Sequence, residues 1–121
     1  MGNLNLGEKG LIFSRIIWKN EPVTTKQLVE LCQKELGWKR TTTYTMLKNL
    51  CDKGIFENRD GVVVSRMSEE EFGAEKGEEI LAENFGGSLP RFLTAFTRKN
   101  KLSKKDIDEL QNLIDSYKEE E

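Results

Sequence analysis

Histidine is absent from the 121-residue chain. That removes imidazole metal ligands and histidine-based acid–base catalysis together. Cysteine is scarce: Cys32 and Cys51 stand 19 residues apart, with no Cys-x-x-Cys pair to suggest a zinc or redox motif. Each falls among apolar neighbours at helical spacing, where a free thiol acts as a small buried hydrophobe. No apolar run reaches the roughly 18 residues that span a bilayer, and no signal-peptide apolar region opens the sequence. A cytoplasmic protein with no membrane partner is expected. Apolar residues make up 36% of the chain against 33% charged, which is a low apolar share for a globular domain. A core that thin leaves apolar surface for a partner to cover.

Catalytic machinery is missing as well. The carboxylate runs at Glu69–Glu71 and Glu119–Glu121 read as a helix first turn and a solvated tail. Gly86-Gly87 lacks the preceding strand and the spacing of a phosphate-cradling loop. The expectation is no enzyme, no cofactor and no metal site.

What is present is a charge split. Residues 1–66 hold 11 Lys+Arg against 7 Asp+Glu, and residues 67–121 hold 8 against 14. A basic half followed by an acidic half points to a polyanionic partner for the first half only.

Apolar residues at Phe13, Ile16 and Ile17, with Leu6 and Gly10 before them, predict a first helix that Pro22 ends. Thr24 and Gln27 form a capping box for a second helix carrying Leu28, Leu31, Cys32 and Leu36, closed by Gly37. Trp38 is expected to fold back on the core. A third helix follows from Thr43, Met46, Leu47, Leu50 and Cys51, spaced i, i+3, i+4, i+7, i+8, with Gly54 as its stop. Residues 55–67 then change period, giving two short strands around Asp60-Gly61 with Arg59 and Arg66 expected to flank the tip.

Ser68 and Glu71 form a second capping box, opening a polar helix to about residue 84 that is broken by Gly86-Gly87. Leu89, Phe92, Leu93 and Phe96 make the apolar face of the next helix. In the last helix, Ile107, Leu110, Ile114 and Tyr117 form a short a/d seam. A seam that short is not stable alone, so these eight residues are the expected dimerisation surface.

The stretch KRTTTYTMLKNLCDKG at residues 39–54 carries the functional signal. Threonine is a poor interior helix residue, yet Thr41, Thr42, Thr43 and Thr45 crowd the front of the third helix. Lys39, Arg40, Lys48 and Lys53 against Asp52 add positive charge. A threonine hydroxyl can bond a phosphate oxygen and its methyl can meet a thymine methyl. The front turn of a recognition helix is the part that meets base edges, and its free N–H groups favour phosphate. Lys39, Arg40, Thr41, Thr42, Tyr44, Thr45 and Lys48, with Arg59 and Arg66 of the hairpin, are therefore the expected DNA contacts. The architecture expected is mainly α with a small β wing: a winged helix-turn-helix over residues 1–67, then a helical dimerisation region over residues 68–121.

The ordered set Ile17-Trp18, Pro22, Trp38, Thr42, Thr45, Leu50 and Lys53-Gly54, followed by Ser68–Glu71 and Phe85–Leu89, resembles the penicillinase-repressor family. That family includes the β-lactamase, methicillin-resistance and copper-operon repressors. The resemblance implies a bacterial, cytoplasmic, homodimeric repressor whose winged helix binds a half-site of an operator. Carried over by position, the base-reading contacts fall on Thr41, Thr42, Tyr44 and Thr45. The family often has lysine and arginine where this chain has Thr41 and Tyr44, so a different operator sequence is expected. Members cut by a membrane sensor protease carry Asn-Phe where this chain has Ala95-Phe96, which argues against that partner. Copper-responsive members end in a Cys-x-Cys cluster, whereas this chain ends in KEEE.

Two functions compete at this point. One is a dimeric repressor on a palindromic operator. The other is a winged-helix protein-interaction module that does not touch DNA, which the sequence pI of about 5.4 favours. A steep salt dependence of duplex binding distinguishes them.

Overall fold

In a computed structural model of the protein, residues 4–120 are described; Glu121 of the terminal acidic run lies outside them. Gly10, Phe13, Ser14, Ile16 and Ile17 recur at helical spacing and are the buried face of α1, Gly7–Asn20. Gly10 is required by close approach: a Cβ there would lie 2.9 Å from Leu6 Cβ. Ser14 is buried without penalty because its hydroxyl donates to the Gly10 carbonyl at 2.8 Å.

Next comes β1, Val23–Thr24, and then α2, Thr25–Leu36. Thr24 caps α2 as the sequence predicts. Its hydroxyl accepts from Gln27 N–H at 3.0 Å, and the Gln27 side chain accepts from Thr24 N–H at 3.0 Å. Gly37 closes α2 at φ +68°, a left-handed conformation that costs glycine little. Trp38 then stacks on Phe13, with ring centroids 5.6 Å apart.

α3, Arg40–Asp52, buries Thr43, Leu47 and Leu50. Burial raises the pKa of the Cys32 thiol of α2, opposed by a hydrogen bond with Thr43 of α3. Cys32 and Cys51 are both free. β2, Phe56–Arg59, and β3, Val62–Ser65, form the hairpin, and Asp60 and Gly61 take the two positive-φ turn positions.

β1 adds a strand that the sequence reading did not foresee. Val23 pairs with Val63 and Thr24 with Val62, so the sheet order is β1-β3-β2, antiparallel throughout. Glu21 fastens this edge: its carboxylate accepts from the Ser65 N–H at 2.8 Å and hydroxyl at 2.7 Å. Trp18 fastens the base of the hairpin, donating its indole N–H to the Met67 carbonyl at 2.9 Å. Its ring lies 5.6 Å from both Phe56 and Phe72. The core formed here includes Phe13, Ile17, Leu28, Cys32, Ile55, Phe56 and Val63, none more than 1% exposed. Truncating Leu28 to alanine would cost about 2–5 kcal/mol. Three helices and a three-stranded wing on that core make a winged helix.

The chain forms two compact units, one up to Gly77 and one from Glu78. The division falls within α4, Glu69–Asn84. Ser68 and Glu71 cap this helix reciprocally, at 3.0 and 3.1 Å. In the second unit, Gly86 and Gly87 turn the chain at φ +60° and +79°. Ser88 then caps α5, Leu89–Lys99, by accepting from Arg91 N–H. Ser103 accepts from Asp106 N–H at 3.0 Å to open α6, Lys104–Glu120. Phe92 meets Phe85 and Phe96 at centroid distances of 5.4 and 5.7 Å. Neither α5 nor α6 contains a buried residue.

Candidate nucleic-acid interface

α3 shares with α1 a start that has no side-chain cap, but α1 carries Glu8 in its first turn and α3 carries no acid there. α2, α4, α5 and α6 each begin with a Thr or Ser hydroxyl accepting an N–H of the first turn. α3 begins at Lys39 with no side-chain cap and no acidic residue in its first turn. Its leading N–H groups, with the partial positive charge of the helix end, are left to an external acceptor.

Around that end, Lys39, Arg40, Thr41, Thr42, Tyr44, Thr45 and Lys48 are all exposed, while Thr43 alone of the four threonines is buried. Thr41, Thr42, Thr45, Met46 and Asn49 line one shallow depression on the outer face of the helix. Its rim offers hydroxyls and methyls together. The apolar stripe thus faces the core and the hydroxyls face outward, as the spacing predicts.

Two members of the set are tied to neighbours. Lys48 Nζ lies 3.1 Å from an Asp52 carboxylate oxygen, an exposed i,i+4 pair. The guanidinium carbon of Arg40 stands 5.5 Å from the centre of the Tyr44 ring. Hydrogen bonding with Thr25 draws the Tyr44 pKa below the ordinary phenol value, and the Arg40 charge acts the same way. Thr25, the first residue of α2, plays no part in the sequence reading. Its pairing with residue 44 has no local signal.

The wing differs from expectation at one residue. Arg59 ends β2 next to the Asp60-Gly61 turn, as expected. Arg66 does not flank the tip. The register pairs Phe56 with Ser65 at the open end, so Arg66 follows at the hairpin base, where its N–H donates to the Ile55 carbonyl at 2.8 Å. One residue of two-stranded pairing carries the chain about 3.4 Å along the strand, so a position five residues past the turn is far from it. Nor is the tip simply basic: Arg59 Nε lies 2.9 Å from Glu57 Oε2.

In the second unit, Phe92, Leu93 and Leu110 are half-buried, while Leu89, Phe96, Ile107, Ile114 and Tyr117 are exposed. Leu113, which the seam spacing omitted, is exposed too. Among the described residues no helix is long and apolar enough to cross a membrane.

The family model described as penicillinase repressor matches residues 6–116. A penicillinase repressor of Bacillus licheniformis is 26% identical over 108 residues, covering 86% of this chain and 84% of that protein. A methicillin resistance regulatory protein MecI of Staphylococcus aureus is 22% identical over 106 residues, covering 84% and 86%. One of the same name from Mammaliicoccus sciuri is 21% identical over 103 residues, covering 82% and 84%. These relatives are regulatory repressors, not enzymes. With the match extending over nearly the whole chain, the protein belongs to the penicillinase-repressor family of transcriptional repressors.

Proposed function

We propose that the protein is a dimeric, DNA-binding transcriptional repressor that reads a palindromic operator through its winged helix. The observation that carries this reading is the uncapped, acid-free front of α3 with its exposed threonines. Thr41, Thr42 and Thr45 face base edges in the major groove. Lys39, Arg40, Lys48, Arg59 and Arg66 supply charge for the backbone, and Tyr44 completes the contact surface.

Residues 68–121 hold two copies together. The support is the apolar surface that α5 and α6 leave uncovered: Phe96 is 42% exposed, Ile114 50% and Tyr117 66%. A second copy supplies a matching face by two-fold symmetry. The protein works in the bacterial cytoplasm, and Ala95-Phe96 gives a sensor protease of the Asn-Phe type no matching bond.

Selection from random duplexes with the purified protein tests the reading. The expected consensus is an inverted repeat with half-sites about 10 bp apart, or a multiple of that. A consensus without dyad symmetry contradicts the two-fold reading. The ion pair that occupies Arg59 favours a second reading, a protein-interaction module. It requires that no duplex be enriched at all.

A further inference from the structure

The wing turn is held at one residue from two sides. The Gly61 N–H donates to Asn58 Oδ1 at 2.8 Å. The Gly61 carbonyl accepts from the Thr25 N–H at 2.9 Å. The first bond closes a ring over Arg59 and Asp60, the two residues between Asn58 and Gly61. Asp60 stands at φ +49° and Gly61 at φ +89°, and a left-handed conformation costs a residue that has a Cβ. A side-chain acceptor on one side and a backbone donor on the other keep the turn in that shape.

The second bond is tertiary. Thr25 is the first residue of α2, so its N–H is one of the helix-end donors that have no partner inside the helix. The capping box is complete without it, because Thr24 and Gln27 satisfy each other. Its bond to Gly61 joins the wing tip to the helix that packs against α3. Arg59 therefore stands on a turn fixed to the recognition helix through α2. Asn58 lies between Glu57 and Arg59 in β2, so strand alternation sends its side chain to the opposite face from theirs. It acts on Arg59 through the backbone of the turn.

We propose that Asn58 is a positioning residue for DNA binding: with the Thr25 N–H it fixes the wing turn relative to α3 and so presents Arg59 to the duplex backbone. The proposal rests on the DNA-binding reading above. The order that a free hairpin tip would have to acquire on binding is present beforehand, which removes an ordering cost from association.

Each anchor can be removed alone. Asn58→Ala deletes the acceptor at an exposed position, and Asn58→Asp keeps it. Thr25→Pro deletes the N–H. Proline is favoured at the first position of a helix, and Thr24 already has the extended backbone, φ −73° and ψ 155°, that precedes proline. Binding is read by fluorescence anisotropy on the selected operator and on a scrambled duplex, for the parent, Asn58→Ala, Thr25→Pro, Arg59→Ala and the Asn58→Ala/Arg59→Ala pair. Each anchor variant is expected to weaken both duplexes alike, roughly two- to ten-fold for one side chain that must be ordered on binding. With Arg59 gone the anchor has nothing to present, so the pair binds like Arg59→Ala alone. A second readout needs no DNA. The Gly61 amide proton should exchange slowly in the parent and in Asn58→Asp, and faster in Asn58→Ala.

A parent that binds neither duplex overturns the DNA-binding reading and this proposal with it. A parent that binds, with Arg59→Ala unchanged, overturns the proposal alone, because the wing then makes no contact to position. Asn58→Ala binding like the parent, additive losses in the pair, or a Gly61 amide indifferent to Asn58→Ala overturns it as well. A folded Thr25→Pro that binds like the parent overturns the tie to α2. Should Thr25→Pro fail to fold, Asn58→Ala and its pair with Arg59→Ala decide the matter by themselves.

Discussion

Arg59 and Glu57 lie two residues apart on one face of β2, and Arg59 Nε donates to Glu57 Oε2 at 2.9 Å while Nη2 reaches Oε1 at 3.5 Å. Each moves the other: the Glu57 carboxyl is held below the ordinary carboxylate range and the Arg59 guanidinium above its own. A wing that approaches a duplex with this pair intact brings no net charge from it. To bind phosphate, Arg59 must exchange one anion for another. Both side chains are solvent-accessible, where such exchange is easy.

Glu57→Gln should therefore free Arg59. Binding to operator and scrambled DNA should tighten alike, and the slope of log K against log salt should steepen by about one unit. Unchanged affinity and slope would place Arg59 outside the contact surface.

Thr45 and Arg59 should separate by kind of effect. Thr45 is exposed on α3 and shares a depression with Thr41 and Thr42. Thr45→Ala should reduce discrimination between operator and scrambled DNA by about 1–3 kcal/mol. Arg59→Ala should weaken both duplexes equally. The reverse pattern, specificity lost with Arg59 and kept without Thr45, would make the wing the reading element.

The proposed dimer should be held by the apolar residues of the second unit. Leu110 is half-buried and Ile114 exposed on α6. A Leu110→Glu/Ile114→Glu double variant should sediment as a monomer and bind a single half-site weakly. The parent should sediment as a dimer at micromolar concentration. A monomeric parent would contradict the two-fold reading.

The two thiols fix a pH dependence. Burial raises the Cys32 pKa and also, with the Asp52 charge, the Cys51 pKa. A folded-state pKa above the unfolded one means stability is complete below the unfolded value. It is lost as pH rises through the folded value, because the unfolded thiols ionise first. Denaturant unfolding at about pH 8 and about pH 10.5 should show the loss. Cys32→Ala should flatten the decline even where its cavity lowers stability at both. An equal decline in the alanine variant would remove the thiol from the account.

Much of the fold is legible because its signals are local. The boxes Thr24/Gln27 and Ser68/Glu71 need three residues of context, and Asp60-Gly61 needs two. The stripe from Thr43 to Cys51 places the outer face of α3 by elimination. What the sequence hides is tertiary. β1 has only Val23 and Thr24, too short for a periodic pattern, and exists because β3 lies beside it. The place of Arg66 depends on strand register, which the charge pattern does not encode. The neutralising pair Glu57–Arg59 follows from side-chain alternation in β2, a signal that was present but is easily lost in a count of arginines. Thr25 meets Tyr44 only because α2 and α3 cross. Leu113 falls outside a strict a/d seam, yet it widens the apolar face of α6.

The central claim is that the first unit binds duplex DNA by neutralising phosphates. The most direct test is the affinity of the purified protein for its selected operator across a series of salt concentrations. The account predicts a straight line of log K against log salt with a steep negative slope, about −0.9 for each phosphate neutralised. Of the expected contacts only Lys39, Arg40, Lys48, Arg59 and Arg66 carry positive charge, so a slope equal to several contacts per dimer is expected. A slope near zero, or no measurable binding at low salt, would contradict it.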